Sequence, residues 1–336
     1  MQSNAQGAIE YLLIIGAAIL VVAIVILAVT GVLSGGQTQT TVGYQGQEAA
    51  QKGLSDIYKE SAGELVYISA PPAAGTYQNN TEYKLSSSIT TQLTSTSGNN
   101  IDFNIRGMDG VTIDCQGKDI TQATKNTSTY GIYIYNSKNI TIKNCQIKTF
   151  YYGVYAEDSN NIILQDSNIF GNSFGIYLYR SNSNNIKNTS FGNSSIAIYF
   201  NNTSSSTISE STLLNSSSLA AIMLIGGSNN NLIKNSTITG NNSRAIFITN
   251  SNGNVLDNMT ISQPSIGISL STTQNTTIQN SKICITNALT NPATTTPLYC
   301  SATAPNTGLT VQNTIFWPST YAYFTNCGSF TSSGTC

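Results

Sequence analysis

Carboxylates are the side chains that could act as an acid and a base in this chain, because the sequence contains no histidine. Glycoside hydrolysis needs two carboxylates at a set separation. The regular repeats described below carry few acidic residues, and 22 residues separate Asp158 from Arg180 and Glu157 from Tyr179. This spacing places each pair side by side and favours a surface ion pair rather than an acid and a base. We therefore predict no catalytic residues, although a polysaccharide-degrading enzyme remains an alternative.

Metal, cofactor and nucleic-acid chemistry have even less support. Asp109, Asp114 and Asp119 are close in sequence but lack the Asp-x-Asp-x-Asp spacing of a calcium loop. No Cys-x-x-Cys pair is present. Fourteen basic and fifteen acidic residues leave a net charge of −1, whereas phosphate binding needs concentrated positive charge. We predict no metal site, no cofactor and no nucleic-acid partner.

Aromatic residues form a series that could bind a ligand. The outward positions of successive repeats carry Tyr133, Tyr155, Tyr177, Tyr199 and Phe247. Such rings could hold sugar rings or another subunit. The alternative is that the tyrosines only stabilise the outside of a sheet by cross-strand contacts.

A repeat of 22–24 residues determines the predicted fold. A small residue followed by an apolar residue recurs at Gly131, Gly153, Gly175, Ala197, Ala221, Ala245 and Gly267. Apolar and polar residues alternate within each repeat, which indicates short strands with one buried face. Four columns of aliphatic residues, beginning at Ile132, Ile134, Ile142 and Ile147, would stack from coil to coil. The prediction is a mainly β protein, a right-handed single-stranded parallel β-helix preceded by one long hydrophobic helix.

A polar column supports this fold. Two residues after the apolar Ile or Leu of the second strand, most repeats carry an asparagine, with Asp166 and Glu210 in the same series. We expect these residues to point inward and to hydrogen-bond from coil to coil. The asparagines are Asn144, Asn188, Asn235, Asn258 and Asn280.

The column resembles the Asn ladder of pectate-lyase-like right-handed β-helix proteins. The unit GIYIYNSKNITIKNCQIKTFYY is similar to the NosD-type repeats of archaeal and bacterial surface proteins. The resemblance covers about Ile101 to Ile285. It implies the fold and says little about function.

The N-terminus carries an uncharged run of 23 residues from Tyr11 to Leu33, long enough to cross a bilayer as a helix. The segment AQGAIEYLLIIGAAIL resembles the class III signal peptide of archaeal type IV pilin-like proteins. The resemblance implies cleavage between Ala5 and Gln6 by a prepilin peptidase, with Glu10 neutralising the new amine of a neighbouring subunit. The leader lacks Lys and Arg, and Ala5 replaces the commoner Gly. The alternative is a plain membrane anchor.

The predicted domain order follows from these segments. Residues 1–5 are a leader, 6–36 a hydrophobic helix, and 37–100 a stalk and N-terminal cap. Residues 101–286 form the β-helix, and 287–336 a C-terminal cap containing disulfides.

The cysteines indicate an exported protein, since all six follow the hydrophobic run. Free buried thiols are the alternative. Suggested pairs are Cys115–Cys145, Cys284–Cys300 and Cys327–Cys336, although many pairings are open.

Asn-x-Ser/Thr sequons are abundant, and some occupancy is expected in an exported archaeal-type protein. Three of them, at Asn188, Asn235 and Asn258, fall on the predicted inward column and are expected to stay unmodified. The candidate glycosylation sites are Asn79, Asn126, Asn139, Asn193, Asn201, Asn202, Asn215, Asn241 and Asn275.

The preferred function is a structural or adhesive subunit of an archaeal type IV pilus-like filament on the cell surface, inserted in the membrane before assembly. Its partners would be copies of itself through the N-terminal helix, the peptidase, the membrane and surface glycans. The main alternative is a membrane-anchored surface protein that binds glycans and never polymerises.

Overall fold

The computed structural model describes residues 63–94, 100–214, 216, 219–240, 243–285, 296–302, 306–317 and 327. These residues belong to one compact unit, 63–336. They form strands and turns, and none of their segments is a helix able to span a membrane. The predicted leader, hydrophobic helix and Glu10 lie outside the described residues.

Three parallel sheets wind around one core. We call the 9-stranded sheet sheet I, the 11-stranded sheet sheet II and the 10-stranded sheet sheet III. From Ile101 onward, each coil contributes one strand to sheet I, then one to sheet II, then one to sheet III, and the chain advances by one strand position per coil. Every coil therefore pairs with its neighbours on three sides, which is the predicted parallel β-helix.

Sheet I carries the longest strands and, as shown below, the candidate site. Its strands are β4 (Ile101–Arg106), β7 (Tyr130–Tyr135), β10 (Tyr152–Glu157), β13 (Phe174–Tyr179), β16 (Ile196–Asn201), β19 (Ile222–Ile225), β22 (Arg244–Thr249), β25 (Ile266–Ser271) and β28 (Thr296–Cys300).

Sheets II and III consist mainly of three-residue strands. Sheet II contains β1 (Glu64–Ile68), β2 (Thr81–Leu85), β5 (Thr112–Asp114), β8 (Thr141–Lys143), β11 (Ile163–Gln165), β14 (Asn185–Lys187), β17 (Thr207–Ser209), β20 (Leu232–Lys234), β23 (Val255–Asp257), β26 (Thr277–Gln279) and β29 (Thr310–Gln312). Sheet III contains β3 (Ile89–Thr91), β6 (Asp119–Gln122), β9 (Gln146–Lys148), β12 (Asn168–Phe170), β15 (Ser190–Gly192), β18 (Thr212–Leu214), β21 (Thr237–Thr239), β24 (Thr260–Ser262), β27 (Lys282–Cys284) and β30 (Ile315–Trp317).

The four predicted aliphatic columns form the core. Members of each column are backbone partners in adjacent strands, as in Ile132–Val154 and Val154–Ile176, and all are at most 1% exposed. Each buried aliphatic side chain contributes roughly 1.5–3 kcal/mol relative to an exposed one. The strands run from Glu64 to Trp317, beyond the predicted limits of the β-helix at both ends. The end coils differ in length from the central ones, so the sequence period does not reveal them: Glu64 pairs with Thr81, 17 residues later, and Thr277 pairs with Thr310, 33 residues later.

The predicted inward orientation of the asparagine column is wrong. Its members, including Asp166 and Glu210, are left-handed turn residues with φ of 46–54°. Asn144 is half-buried and the others are exposed. The predicted hydrogen bonds between coils do occur on the outside: Asn258 Nδ2 donates to Asn235 Oδ1 at 2.9 Å, and Asn188 Nδ2 donates to Asp166 Oδ1 at 2.7 Å. The left-handed residue reverses the alternation, so that the following residue points inward.

That following residue forms the buried column at this turn. Its side chains are all at most 6% exposed: Cys145, Ser167, Thr189, Ser211, Ser236, Met259 and Ser281. The hydroxyl of Ser167 accepts from the backbone N–H of Cys145 at 3.1 Å and donates to the carbonyl of Gln165 at 2.7 Å. A serine thus satisfies backbone groups within and between coils, as a buried polar group must.

Two disulfides have both of their cysteines among the described residues, and each cross-links coils in one half of the β-helix. Cys115 and Cys145 are bonded, as predicted, and their Cα atoms lie 4.7 Å apart. Cys300 bonds to Cys327, so the suggested pairs Cys284–Cys300 and Cys327–Cys336 are wrong. Cys284 is also disulfide-bonded. The suggestion paired cysteines by closeness in sequence, whereas the β-helix brings distant residues together at the end of the stack.

Candidate functional site

The outer surface of sheet I carries two adjoining rows of aromatic rings, which we call the tyrosine face. The first row is Tyr130, Tyr152 and Phe174, and the second is Tyr133, Tyr155, Tyr177 and Tyr199. Members of a row are register partners in β7, β10, β13 and β16, so the sheet itself sets their spacing. Sequence reasoning found the second row and missed the first, although the first row follows the same 22-residue period three positions earlier.

The rings stack along each row. In the second row, centroids of successive rings are 5.4, 5.2 and 4.5 Å apart, with interplanar angles of 12–25°. Rings of different rows meet edge to face, as for Tyr152 and Tyr155 at 5.1 Å. Both arrangements are favourable for aromatic pairs. The structure therefore shows the cross-strand contacts expected if the tyrosines stabilise the outside of the sheet. These contacts also make the tyrosine face rigid.

Both ends of the second row are covered. The guanidinium of Arg106 lies 4.7 Å from the centroid of the Tyr133 ring. At the other end, Ile196 and the register partner of Tyr199, Met223, form a small buried cluster against which Phe174 and Tyr199 pack.

The remaining member of the predicted stripe, Phe247, lies beyond this cluster. It is the register partner of Met223 and sits beneath the guanidinium of Arg244 at 5.2 Å. Phe247 is therefore separated from the tyrosine rows by one coil.

Charged side chains border the second row, and we call Glu157, Asp158 and Arg180 the ionic edge. Arg180 Nε donates to Asp158 Oδ1 at 2.6 Å, and its Nη2 donates to Glu157 Oε1 at 3.0 Å. The hydrogen bond from Arg180 lowers the pKa of the Asp158 carboxyl. The Tyr155 hydroxyl donates to Glu157 Oε2 at 3.3 Å and connects the edge to the row. The predicted pairing of Asp158 with Arg180 is confirmed.

The hydroxyls of Tyr133, Tyr152, Tyr155 and Tyr199 hold their protons strongly, since the pKa of each is raised. Burial is the largest cause, and it raises the pKa of Tyr133, Tyr152 and Tyr155, with the Glu157 carboxylate adding to the shift at Tyr155. Burial and the neighbouring Tyr177 raise the pKa of Tyr199 to about 12. These phenols are therefore hydrogen-bonding groups and not bases at neutral pH.

Alkaline titration should show this directly. We expect tyrosinate absorbance at 295 nm to rise in two phases, with the phase near pH 12 reduced by Tyr199→Phe. Because a raised pKa in the folded state favours the neutral phenol, its contribution to stability is complete below about pH 10 and is lost as pH rises towards 12. Denaturation midpoints between pH 9 and 12 measure the loss. A single phase near pH 10 would contradict the burial of these phenols.

A second concave surface follows the exposed asparagine column. This furrow, of about 600 Å³, is lined by amides, hydroxyls and two carboxylates, Asp166 and Glu210. Lys187 forms an ion pair with Glu210 at 3.7 Å, and Asn188 binds Asp166. The lining of the furrow contains no aromatic residue.

The predicted glycosylation sites are distributed over the turns. Asn79, Asn139, Asn193, Asn202 and Asn275 are exposed. Asn126 and Asn201 are half-buried, whereas Asn215 and Asn241 lie outside the described residues. The sequons set aside as inward are exposed as well, so burial gives no reason to exclude them.

Two protein families match the sequence of this chain, and one of them is described by its β-helix fold. Residues 60–235, slightly more than half of the chain, match the family described as periplasmic copper-binding protein (NosD). Residues 175–329 match the family described as right-handed β-helix region. A comparison with curated proteins finds no match.

Solved structures with the same fold come from several kinds of protein. The alginate lyase from Paenibacillus sp. str. FPU-7 matches with a TM-score of 0.59 at 12% identity, over 76% of this chain and 96% of the lyase. The periplasmic alginate epimerase AlgG, as a double mutant, matches with a TM-score of 0.55 at 12% identity, over 75% of this chain and 62% of the epimerase. The Dettilon tailspike protein matches with a TM-score of 0.52 at 14% identity, over 75% of this chain and 62% of the tailspike. This chain spans less than two thirds of the epimerase and the tailspike, and likeness at these identities shows the fold alone.

These comparisons correct two predictions. The prediction of a structural filament subunit is wrong. The matching family and the structural neighbours are β-helix proteins, among them an alginate lyase and an alginate epimerase. The prediction that the protein is not an enzyme is wrong on the same comparison. The coarser prediction of an exported protein is confirmed by the disulfides and by the periplasmic family.

Copper, which the family description names, does not fit the part of the chain that the structure describes. Protein copper sites use imidazole, thiolate or thioether ligands. The sequence has no histidine, and the described cysteines are all in disulfides. Among the described residues, no group of three or more Cys, Asp or Glu side chains could hold a metal ion.

Proposed function

Because the chain belongs to the NosD family of right-handed β-helix proteins, we propose that it is an exported carbohydrate-active protein that holds a polysaccharide along its tyrosine face. The observation that carries this proposal is the joined pair of aromatic rows, with the ionic edge beside them. A row of amphipathic rings on an otherwise polar surface is typical of a ligand-binding surface.

The chemistry of the face suits a sugar chain. Tyrosine hydroxyls both donate and accept hydrogen bonds, and Glu157 and Arg180 add acceptors and donors at the edge of the rows. Because the sheet fixes every ring, little side-chain freedom is lost on binding. The alginate lyase and epimerase act, by their names, on a polysaccharide, and we extend that substrate class to this chain.

The test is binding of the full-length protein to a panel of polysaccharides by affinity electrophoresis. Replacing Tyr155 and Tyr177 together by alanine removes two central rings, and we expect at least a tenfold loss of affinity. Tyr299→Ala is the matched control, because Tyr299 occupies an equivalent outward position in β28 and is exposed. Equal binding by the double variant and the wild type would refute the tyrosine face as the site. No binding to any polysaccharide would refute the function.

A second candidate function, polysaccharide hydrolysis, is favoured by the two carboxylates of the furrow. Asp166 and Glu210 belong to coils two steps apart, so their backbones are separated by about 10 Å. Inverting glycosidases place their carboxyl groups about 6.5–9.5 Å apart. The same panel, assayed for new reducing ends, tests this function with Asp166→Asn and Glu210→Gln. Reducing ends that both substitutions abolish would support it, and reducing ends that persist in both would exclude it.

The N-terminal motif gives the proposal a location. We propose that the β-helix is displayed outside the cell and tethered through the apolar run from Tyr11 to Leu33. The leader that precedes this run resembles that of archaeal pilin-like proteins. Cleavage between Ala5 and Gln6 remains a prediction, and the mass of the N-terminal peptide from native cells would test it.

A further inference from the structure

The flat sides of the rings in the second tyrosine row are occupied by neighbouring groups. Within the row each ring lies against the next at 4.5–5.4 Å. Arg106 covers Tyr133 at one end, and Met223 follows Tyr199 at the other. A sugar ring therefore has no free aromatic face of the second row on which to stack. What remains for a ligand is a line of ring edges and hydroxyl groups.

This line has a fixed step. Successive hydroxyl-bearing rings from Tyr133 to Tyr199 repeat once per coil, every 4.5–5.4 Å. An extended β-1,4-linked glycan is a straight ribbon that advances by about one pyranose ring per sugar, which is a comparable step. An α-1,4-linked glycan coils and leaves a straight line after a few sugars.

The charges along the line oppose an acidic glycan. At its centre, the carboxylates of Glu157 and Asp158 share the single guanidinium of Arg180. This edge therefore carries one net negative charge. Arg106, the other cation of the face, lies at the end of the row and stacks on Tyr133 and Tyr135. A uronate polymer would bring a carboxylate to every coil, including those beside Glu157 and Asp158.

We propose that the tyrosine face binds a neutral, extended β-1,4-linked glycan, with one sugar per coil and with hydrogen bonds to the hydroxyls of the second row. This inference rests on the proposed function and specifies its substrate class. Four tyrosines form the row, so affinity should rise with chain length and level off at about four to five sugars.

Titration calorimetry with hexasaccharides tests the class, using the full-length protein. The neutral β-1,4 ligands are cellohexaose, mannohexaose and xylohexaose, against maltohexaose for the α-1,4 linkage and hexamannuronate for the acidic chain. We expect at least one neutral β-1,4 hexamer to bind about tenfold more tightly than the other two classes. Tyr177→Phe keeps the ring and removes the hydroxyl, and it should weaken binding about 3- to 10-fold. Tyr299→Phe is the matched control and should leave binding unchanged.

The outcomes separate this inference from the proposed function. Preference for maltohexaose or hexamannuronate, with sensitivity to the double alanine variant, would overturn the substrate class and leave the function standing. Unchanged affinity of the Tyr177→Phe variant would overturn the proposal that the glycan binds through hydrogen bonds to the tyrosine hydroxyls. Absence of binding by all five hexamers and by the wider polysaccharide panel would overturn the proposed function itself.

Discussion

Replacing Phe191 by alanine is expected to lower the free energy of unfolding by about 3–5 kcal/mol. Phe191 lies in β15, its side chain is fully buried, and it belongs to the continuous core of the β-helix. A Cβ atom built on Gly175 would approach the Phe191 ring to 2.9 Å, which shows how closely the ring packs against the backbone of Gly175. The surrounding coils cannot collapse onto the vacated space because their backbones are hydrogen-bonded on both sides.

The neighbouring strand provides the control for this substitution. Leu214, in β18, is an aliphatic residue with 39% of its surface exposed, so Leu214→Ala should change stability by less than about 0.5 kcal/mol. Chemical denaturation followed by circular dichroism measures both variants. A cost below 1 kcal/mol for Phe191→Ala, or equal costs for the two, would contradict close packing in this column.

The fold could be predicted from the sequence because the solenoid repeats its core. Each coil places an aliphatic residue at the position of its predecessor, so a column such as Ile132, Val154 and Ile176 is visible as a period in the sequence. The structure confirms all four columns and their register. The end coils escaped prediction because a longer excursion interrupts the period there, as between Thr277 and Thr310.

The direction of the turn residues could not be predicted from the period alone. Alternation along β8 would place Asn144 inward, but its left-handed backbone turns it outward and brings Cys145 into the core. Asparagine is common at such φ values. What the period does not contain is how many residues the turn takes to redirect the chain, and this decides which side chain is buried.

The candidate site was predicted only in part, for a similar reason. The series from Tyr133 to Tyr199 is periodic and was found, whereas Tyr130 and Tyr152 are followed by Phe174 and then Ile196, so their row is less uniform. Whether ring faces are free also depends on neighbouring coils. Only the coordinates show that Arg106 and Met223 close the two ends of the second row.

The repeat also could not identify the function. A column of aliphatic residues stabilises the core of a β-helix protein whatever that protein does, so the repeat alone favours no function. The filament prediction depended on the N-terminal motif alone. The family match begins at residue 60, after that motif, and it concerns the β-helix.

Removing the Cys115–Cys145 disulfide by the double substitution to serine is expected to lower the free energy of unfolding by about 3–4 kcal/mol. The bond joins residues 30 positions apart, and a cross-link that closes a loop of this length restricts the unfolded chain by about that amount. The bond joins β5 and β8 at the start of the stack, where the strands have fewer coils to support them.

Serine is the suitable replacement, because the structure contains its own precedent. Ser167 occupies the position of Cys145 one coil later, where its hydroxyl binds the backbone of both coils. The variant should therefore lose the cross-link without losing local geometry, so that the cost measures the bond itself. Denaturation of the double variant, compared with the reduced wild type, provides the test. A loss of less than about 1 kcal/mol in the double variant would show that the first coils hold together without the bond. The same conclusion would follow if reduction destabilised the wild type while the double variant kept the stability of the oxidised wild type.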